Sequence, residues 1–375
     1  MASIIFNKTD LLHALSELSN VIPKKSADYP VCKFVAVTFR EDSIVLTGSN
    51  TFVQISIKVP AKFVKQPDNF LFHFDKIHSI LKRCTESQKI TFNLSNEKQI
   101  GVHLDSVKAK YRINTMPYSE FIWLQSDKLE HKTTLPCSAV HKSLIKISHA
   151  TAKETNAKAQ LKGIHLTLKN GELETMTTDG HRMALFLSVM EDEQATLENK
   201  VVIPVEAGEM VSKICATHQD DSIILGFNSS SFKAVVNNLQ VVFRLQYAIY
   251  PELKKVIGRE ATHSVTFDRL EILRALKTLN TIVMDDRFKR CTFNISKSSI
   301  LLSAENASKD KGEIEIPISG GGVDMEICIN HTYMIDAIAS FDGENVHMGF
   351  SDPQEFVKLT DNNDESHINV VMPLR

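Results

Sequence analysis

The chain has 375 residues, 43% hydrophobic and 23% charged, enough apolar material for two or three cored domains and too much for a disordered or fibrous protein. Lys and Arg number 43 against 45 Asp and Glu, a net charge of −2. That balance argues against a surface given over wholly to nucleic acid, and leaves room for a basic lining within a neutral shell. No apolar run is long enough to span a bilayer, and MASIIFNKTDLLHAL lacks a secretory pattern. The six scattered cysteines contain no CxxC pair and read as reduced thiols of a cytoplasmic protein.

In chain order, helical spacing over Asp10–Asn20 is followed by β-branched and aromatic runs at Phe34–Phe39, Ile44–Thr47 and Val53–Val59. Asp75–Cys84 places Ile77, Ile80, Leu81 and Cys84 on one helix face, with Asp75 as the expected N-cap. Strands are expected at Ile90–Leu94 and Tyr111–Ile113, and a second pair of helices at Ser138–His149 and Val205–Thr217. Glu172–Met176 and Met183–Val189 flank Thr177-Thr-Asp-Gly-His-Arg182 and read as a β-hairpin with a type I′ Asp-Gly turn. The last helices are expected at Asp268–Leu279, capped by Asp268, and at His331–Phe341. Gly320-Gly-Gly322 precedes a strand, not a helix, so it reads as a flexible connection and not a phosphate cradle.

The pattern repeats. Lys110–Pro117, Val242–Pro251 and His367–Pro373 are each an extended run closing on proline, 134 and 122 residues apart. Phe6, Leu12, Ala14 and Leu15 share their spacing with Phe267, Leu273, Ala275 and Leu276. The chain is therefore three diverged copies of one α+β domain, at 1–125, 126–252 and 253–375.

No complete active site is legible. His181 with Asp179 lacks a nucleophile elbow, and the histidines form no metal-binding spacing. Three of the helices, Asp75–Cys84, Ser138–His149 and Asp268–Leu279, carry eight Lys or Arg against three acids, whereas the other three carry one against five. A basic helix face is usually only a solvated face, so by itself this supports DNA contact weakly.

Gly163-Ile-His-Leu166, Thr177-Thr-Asp-Gly-His-Arg-Met183, Ile249-Tyr-Pro-Glu-Leu-Lys-Lys-Val256 and Val370-Val-Met-Pro-Leu-Arg375 together resemble the bacterial sliding clamp family, the beta subunit of DNA polymerase III. The resemblance covers the whole chain. It implies a non-catalytic processivity factor without cofactors or metal: a head-to-tail homodimeric ring around duplex DNA, helices inside and antiparallel sheets outside, associated with the bacterial nucleoid. It also implies an apolar pocket for short peptides of the polymerase alpha subunit, the clamp loader delta subunit and other clamp-binding proteins. That pocket would comprise Leu161, Thr178, Gly180, His181, Arg182, Met183, Pro251, Lys255, Val256, Val370, Met372, Pro373 and Leu374. DNA contacts would come from Lys82, Arg83, Lys142, Lys146, Arg274 and Lys277, with Lys24, Lys25 and Lys158 on loops. The dimer would be sealed by Tyr111 and Ile113 of one protomer against Ile282 and Val283 of the other. Lys255 and Met183 stand where Arg and Leu are common in the family.

Overall fold

The structure, a computed structural model, describes residues 2–374 apart from 24–28, 42, 65–67, 85–87, 97–98, 106–108, 125–130, 153–158, 191–196, 246–253, 287, 322 and 362–363. The chain divides into two compact units, Met1–Thr134 with Asp221–Leu245, and Leu135–Asp220 with Gln246–Arg375. The division runs through the central repeat because its strands belong to two different sheets.

In the first unit, twelve strands form one sheet. Their order is Ala2–Asn7, Lys89–Asn96, Gln99–Leu104, Lys110–Pro117, Phe70–His73, Phe34–Phe39, Ser43–Ser49, Val53–Val64, Leu239–Arg244, Ser231–Val236, Ser222–Phe227 and His131–Pro136. Ala2–Asn7 also pairs with Val53–Val64, so the first eight strands of that order close on themselves. The central repeat joins through Leu239↔Ile57 to Phe243↔Val53. Helix α1 (Lys8–Leu18) buries Leu11, Ala14, Leu15 and Leu18, the i, i+3, i+4, i+7 stripe of an amphipathic helix. Helix α2 (Phe74–Arg83) buries Phe74, Ile77 and Leu81. Its N-cap stands two residues earlier than the capping pattern predicts. His73 holds the N-cap position without a side-chain bond, and Asp75 falls in the first turn, where its charge still suits the helix dipole.

In the second unit, nine strands run in the order Leu197–Pro204, Gly163–Lys169, Glu172–Thr178, Arg182–Val189, Asp364–Val371, Val357–Asp361, Asn345–Phe350, His263–Asp268 and Ser319–Gly320. The central and C-terminal repeats meet where Arg182–Phe186 pairs with His367–Val371. A separate four-stranded sheet runs Lys311–Pro317, Ser299–Glu305, Arg290–Ile295, Met325–Asn330. The helices are α3 (Cys137–Ile147), α4 (Val205–Thr217), the short α5 (Lys254–Ile257), α6 (Arg269–Val283) and α7 (His331–Ala339). Gly208 lets α4 approach the sheet, since a Cβ there would stand 2.2 Å from Ile164 Cδ1. Asp268 caps α6 as expected, accepting from the Glu271 N–H at 2.7 Å. α6 runs one turn past the expected end because Val283 continues the buried stripe of Ile272, Leu276 and Leu279. The triple glycine is not merely a connection, since Ser319–Gly320 pairs with Val265–Thr266.

Candidate functional site

The site is built on one face of the nine-stranded sheet. Side chains alternate across a strand, so the registers Met176↔Leu185, Met183↔Val370 and Leu185↔Ile368 put these five residues on the same face. They form a buried apolar cluster, joined at its rim by half-buried Leu187, Val256, Ile257 and Phe356. Val256 and Ile257 belong to α5, whose Ile257 carbonyl accepts from Lys358 Nζ at 3.3 Å. The other face of the same strands carries polar groups to the helices. Thr177 Oγ1 donates to the Ile147 carbonyl at 2.5 Å, and Asn369 Oδ1 lies 2.9 Å from His149 Nε2.

At one end of the apolar face stands the turn. It is a hairpin, as the sequence predicts, but not type I′, because that turn needs positive φ at both central residues and only Gly180 has it, at +93°. Asp179 Oδ1 accepts from the His181 and Arg182 N–H groups, and Thr178 Oγ1 donates to the Arg182 carbonyl at 2.7 Å. These bonds satisfy the turn internally and leave the His181 side chain exposed. The Leu161 side chain lies against Gly180, with Cδ1 3.8 Å from where a Cβ would be. The C-terminal segment completes the rim. Met372 N donates to the His181 carbonyl at 2.8 Å, Pro373 bridges to Ile329, and Leu374 N donates to the Cys328 carbonyl at 2.7 Å. Met372 is 37% exposed and so stands open beside the floor.

Thus Leu161, Thr178, Gly180, His181, Met183, Val256, Val370 and Met372 gather at one place, with Pro373 and Leu374 continuing the rim. Arg182 departs from the expected role. It is 7% exposed and its guanidinium turns into the protein, to Asp179 Oδ2 at 2.9 Å and Asp336 Oδ2 at 2.7 Å. Pro251 and the Lys255 side chain lie outside the described residues. Sequence reading missed the floor residues Met176, Leu185 and Ile368, though the i, i+2 series Met183, Leu185, Leu187 and Ile368, Val370, Met372 is the signal that could have found them. Phe356 had no such signal, because it reaches the cluster only through tertiary packing.

Of the basic residues, Lys82 and Arg83 on α2, Lys142 on α3, and Arg274 and Lys277 on α6 are exposed. Lys142 Nζ also lies 5.6 Å from the centroid of the Phe186 ring. Lys146 does not stand on an open face. It is 8% exposed, bonded to Asp342 Oδ1 at 2.6 Å and to the Ser340 carbonyl, and its ammonium holds the Asp342 carboxyl below the usual range. The stripe of α3 turns it inward, between Ser143 and Ile147. Lys24, Lys25 and Lys158 lie outside the described residues.

Of the expected interface residues, Tyr111 is exposed and Ile282 half-buried, but Ile113 is only 5% exposed and Val283 is fully buried. Val283 is a member of the C-terminal repeat's own core, four residues beyond Leu279 on the inward stripe of α6. Beyond Ile282 along the chain, Met284 and Phe288 are exposed. Two strand edges are also notable. Lys110–Asn114 pairs on one side with Gln99–His103, and only Thr115–Pro117 pairs with Phe70–Phe72 on the other. Lys311–Pro317 is the last strand of its sheet. The first edge exposes Lys110 and Arg112, the second Glu313 and Glu315.

Comparison with known proteins covers all three repeats. Residues 2–125 match the model of the DNA polymerase III beta subunit N-terminal domain, 134–252 that of its central domain and 254–375 that of its C-terminal domain. The chain is 21% identical to the beta sliding clamp of Proteus mirabilis over 371 residues, 99% of each chain, and 22% identical to that of Escherichia coli over 365 residues, 97% of each. Among solved structures, the DNA polymerase III subunit beta of Pseudomonas aeruginosa superposes with a TM-score of 0.92 at 19% identity over 100% of both chains. The corresponding subunit of Thermotoga maritima gives 0.86 at 18%, again over 100% of both.

Proposed function

This chain belongs to the DNA polymerase III beta subunit family and acts as a non-catalytic processivity clamp in DNA replication; from that membership we propose how its parts do the work. Its three repeats, 1–125, 126–252 and 253–375, assemble head to tail with those of a second copy into a closed ring around duplex DNA, in the bacterial cytoplasm at the nucleoid. The exposed edges support the closure. Antiparallel pairing of Lys110–Asn114 on one protomer with Lys311–Pro317 on the other would satisfy two rows of backbone groups. It would also set Lys110 and Arg112 opposite Glu313 and Glu315, and bring Tyr111 to Ile282, Met284 and Phe288.

Lys82, Arg83, Lys142, Arg274 and Lys277 contact phosphates, as do Lys24, Lys25 and Lys158. Such contacts carry no base information, so the clamp slides, and enclosure supplies the retention that affinity need not.

The pocket takes short apolar peptides from the polymerase alpha subunit, the clamp loader delta subunit and other partners. The observation that carries this reading is the Met176, Met183, Leu185, Ile368, Val370 cluster, an apolar sheet face beside an internally satisfied turn and the exposed Met372. Methionine side chains adapt to varied ligands, which suits one pocket serving several partners. The test is calorimetric titration of a polymerase-derived apolar peptide into the full chain and into Met183→Glu. The expected result is saturable 1:1 binding per protomer that the substitution abolishes; equal affinity for both would place the pocket elsewhere.

A further inference from the structure

Arg182 belongs to the turn, yet its side chain leaves the pocket. Its Nε donates to Asp179 Oδ2 at 2.9 Å and its Nη1 to Asp336 Oδ2 at 2.7 Å, and the guanidinium carbon lies 4.2 Å from the centroid of the Tyr333 ring. Tyr333 and Asp336 are three residues apart on α7, so they share a helix face and grip the same group. A planar guanidinium bonded along two edges and covered on a face has no freedom left to rotate.

Asp179 is at the same time the acceptor for the His181 and Arg182 N–H groups. The guanidinium therefore ties the turn to α7 through two carboxylates, one in the turn and one on the helix. Arg182 pairs with Val371 in the sheet, and the neighbouring His181 carbonyl accepts from Met372 N at 2.8 Å. Moving Arg182 thus moves His181 and Met372, which stand together at one end of the apolar floor.

We propose that Asp336 is a positioning residue of the peptide pocket, holding Arg182 and through it the His181 and Met372 rim. The inference rests on the peptide-binding reading above. Asp336 does not touch the apolar cluster, and it acts only through the guanidinium it fixes. A purely structural role would lower folding stability and leave peptide affinity alone.

The test titrates one apolar polymerase-derived peptide into full-length wild type, D336A, D336E, R182A and the D336A/R182A double variant. Dimer mass and the salt dependence of DNA binding are followed in parallel. D336A should weaken the peptide about tenfold with dimer mass and salt dependence unchanged, and D336E, which keeps the carboxylate, should recover part of the loss. In the R182A background the Asp336 substitution should cost no further affinity, because its only route to the pocket has been removed. Wild-type affinity in D336A, or losses that simply add in the double variant, would overturn the proposal. Should D336A fail to fold, D336N, neutral and nearly isosteric, is read by the same criteria. A wild type that binds no apolar peptide defeats the pocket reading itself and this inference with it, and is told apart by the absence of any binding to compare.

Discussion

The two faces of the nine-stranded sheet solve opposite problems. One is Met176, Met183, Leu185, Ile368 and Val370, with Val256 and Ile257 of α5 at its rim. The other, under α3 and α7, is a buried polar network. Asn369 lies between His149 and Ser340, His367 Nε2 is 3.3 Å from Ser340 Oγ, and Lys146 reaches Asp342 and the Ser340 carbonyl. Buried polar groups tolerate few arrangements because each needs its partners, so the network fixes where α7 stands against α3. An apolar face has no such demand and accepts whatever apolar group arrives. The comparison teaches that one sheet can be made specific on its inner side and permissive on its outer side simply by which alternate residues are polar.

The largest expected break in that contrast is removal of Met372–Arg375. It deletes the rim and the Leu374-to-Cys328 bond while the strand Asp364–Val371 keeps both neighbours. Peptide affinity should fall by about 2 kcal/mol or more for each lost anchor, with dimer mass unchanged, read by calorimetry and sedimentation.

The polar face should instead respond to pH. Burial, helped by Lys146 and His149, pushes His367 down to about 3, against the opposing pull of Asp342 and a backbone bond to Lys146. The unfolded chain then binds a proton below about pH 6.5 that the folded one does not, so stability falls as pH drops from there toward 3. The slope should approach about 1.4 kcal/mol per pH unit and diminish in His367→Gln, measured by denaturant unfolding between pH 7 and 4. An unchanged slope would remove His367 from the account.

Lys146→Met should cost about 1 kcal/mol of stability, a modest figure because its partner Asp342 is 71% exposed and can be rehydrated. It should leave the salt dependence of DNA binding alone. Lys277→Ala should do the reverse, lowering the log–log salt slope by about 0.9 with stability unchanged, as a single phosphate contact would. Equal slopes for the two variants would put Lys146 back on the DNA face.

The amphipathic helices and most strands were legible because their periodicities are local. α4 falls at the expected bounds, and Asp268 caps α6 as its sequence position implies. The turn chemistry was half legible. A hairpin follows from its flanking strands, but its type depends on Asp179 spending its carboxylate on the N–H groups of His181 and Arg182. At α2 the helix began before the best capping residue, and its first residue, Phe74, is buried with Ile77 and Leu81.

Composition and repeat spacing by themselves determined a cored α+β chain in three copies, and the segments Thr177–Met183 and Val370–Leu374 carried the family resemblance. Both are properties of residue order, readable wherever the pattern is local. Tertiary structure alone decided which charges are free. Lys146 and Arg182 look like exposed cations in sequence, but Asp342 and Asp336, 196 and 154 positions away, claim them. It likewise decided that Val283 is core and that Phe356 packs at the rim of the apolar cluster. The physical reason is the same in each case: burial and ion pairing depend on which distant segment folds against a side chain, and no local spacing encodes that partner.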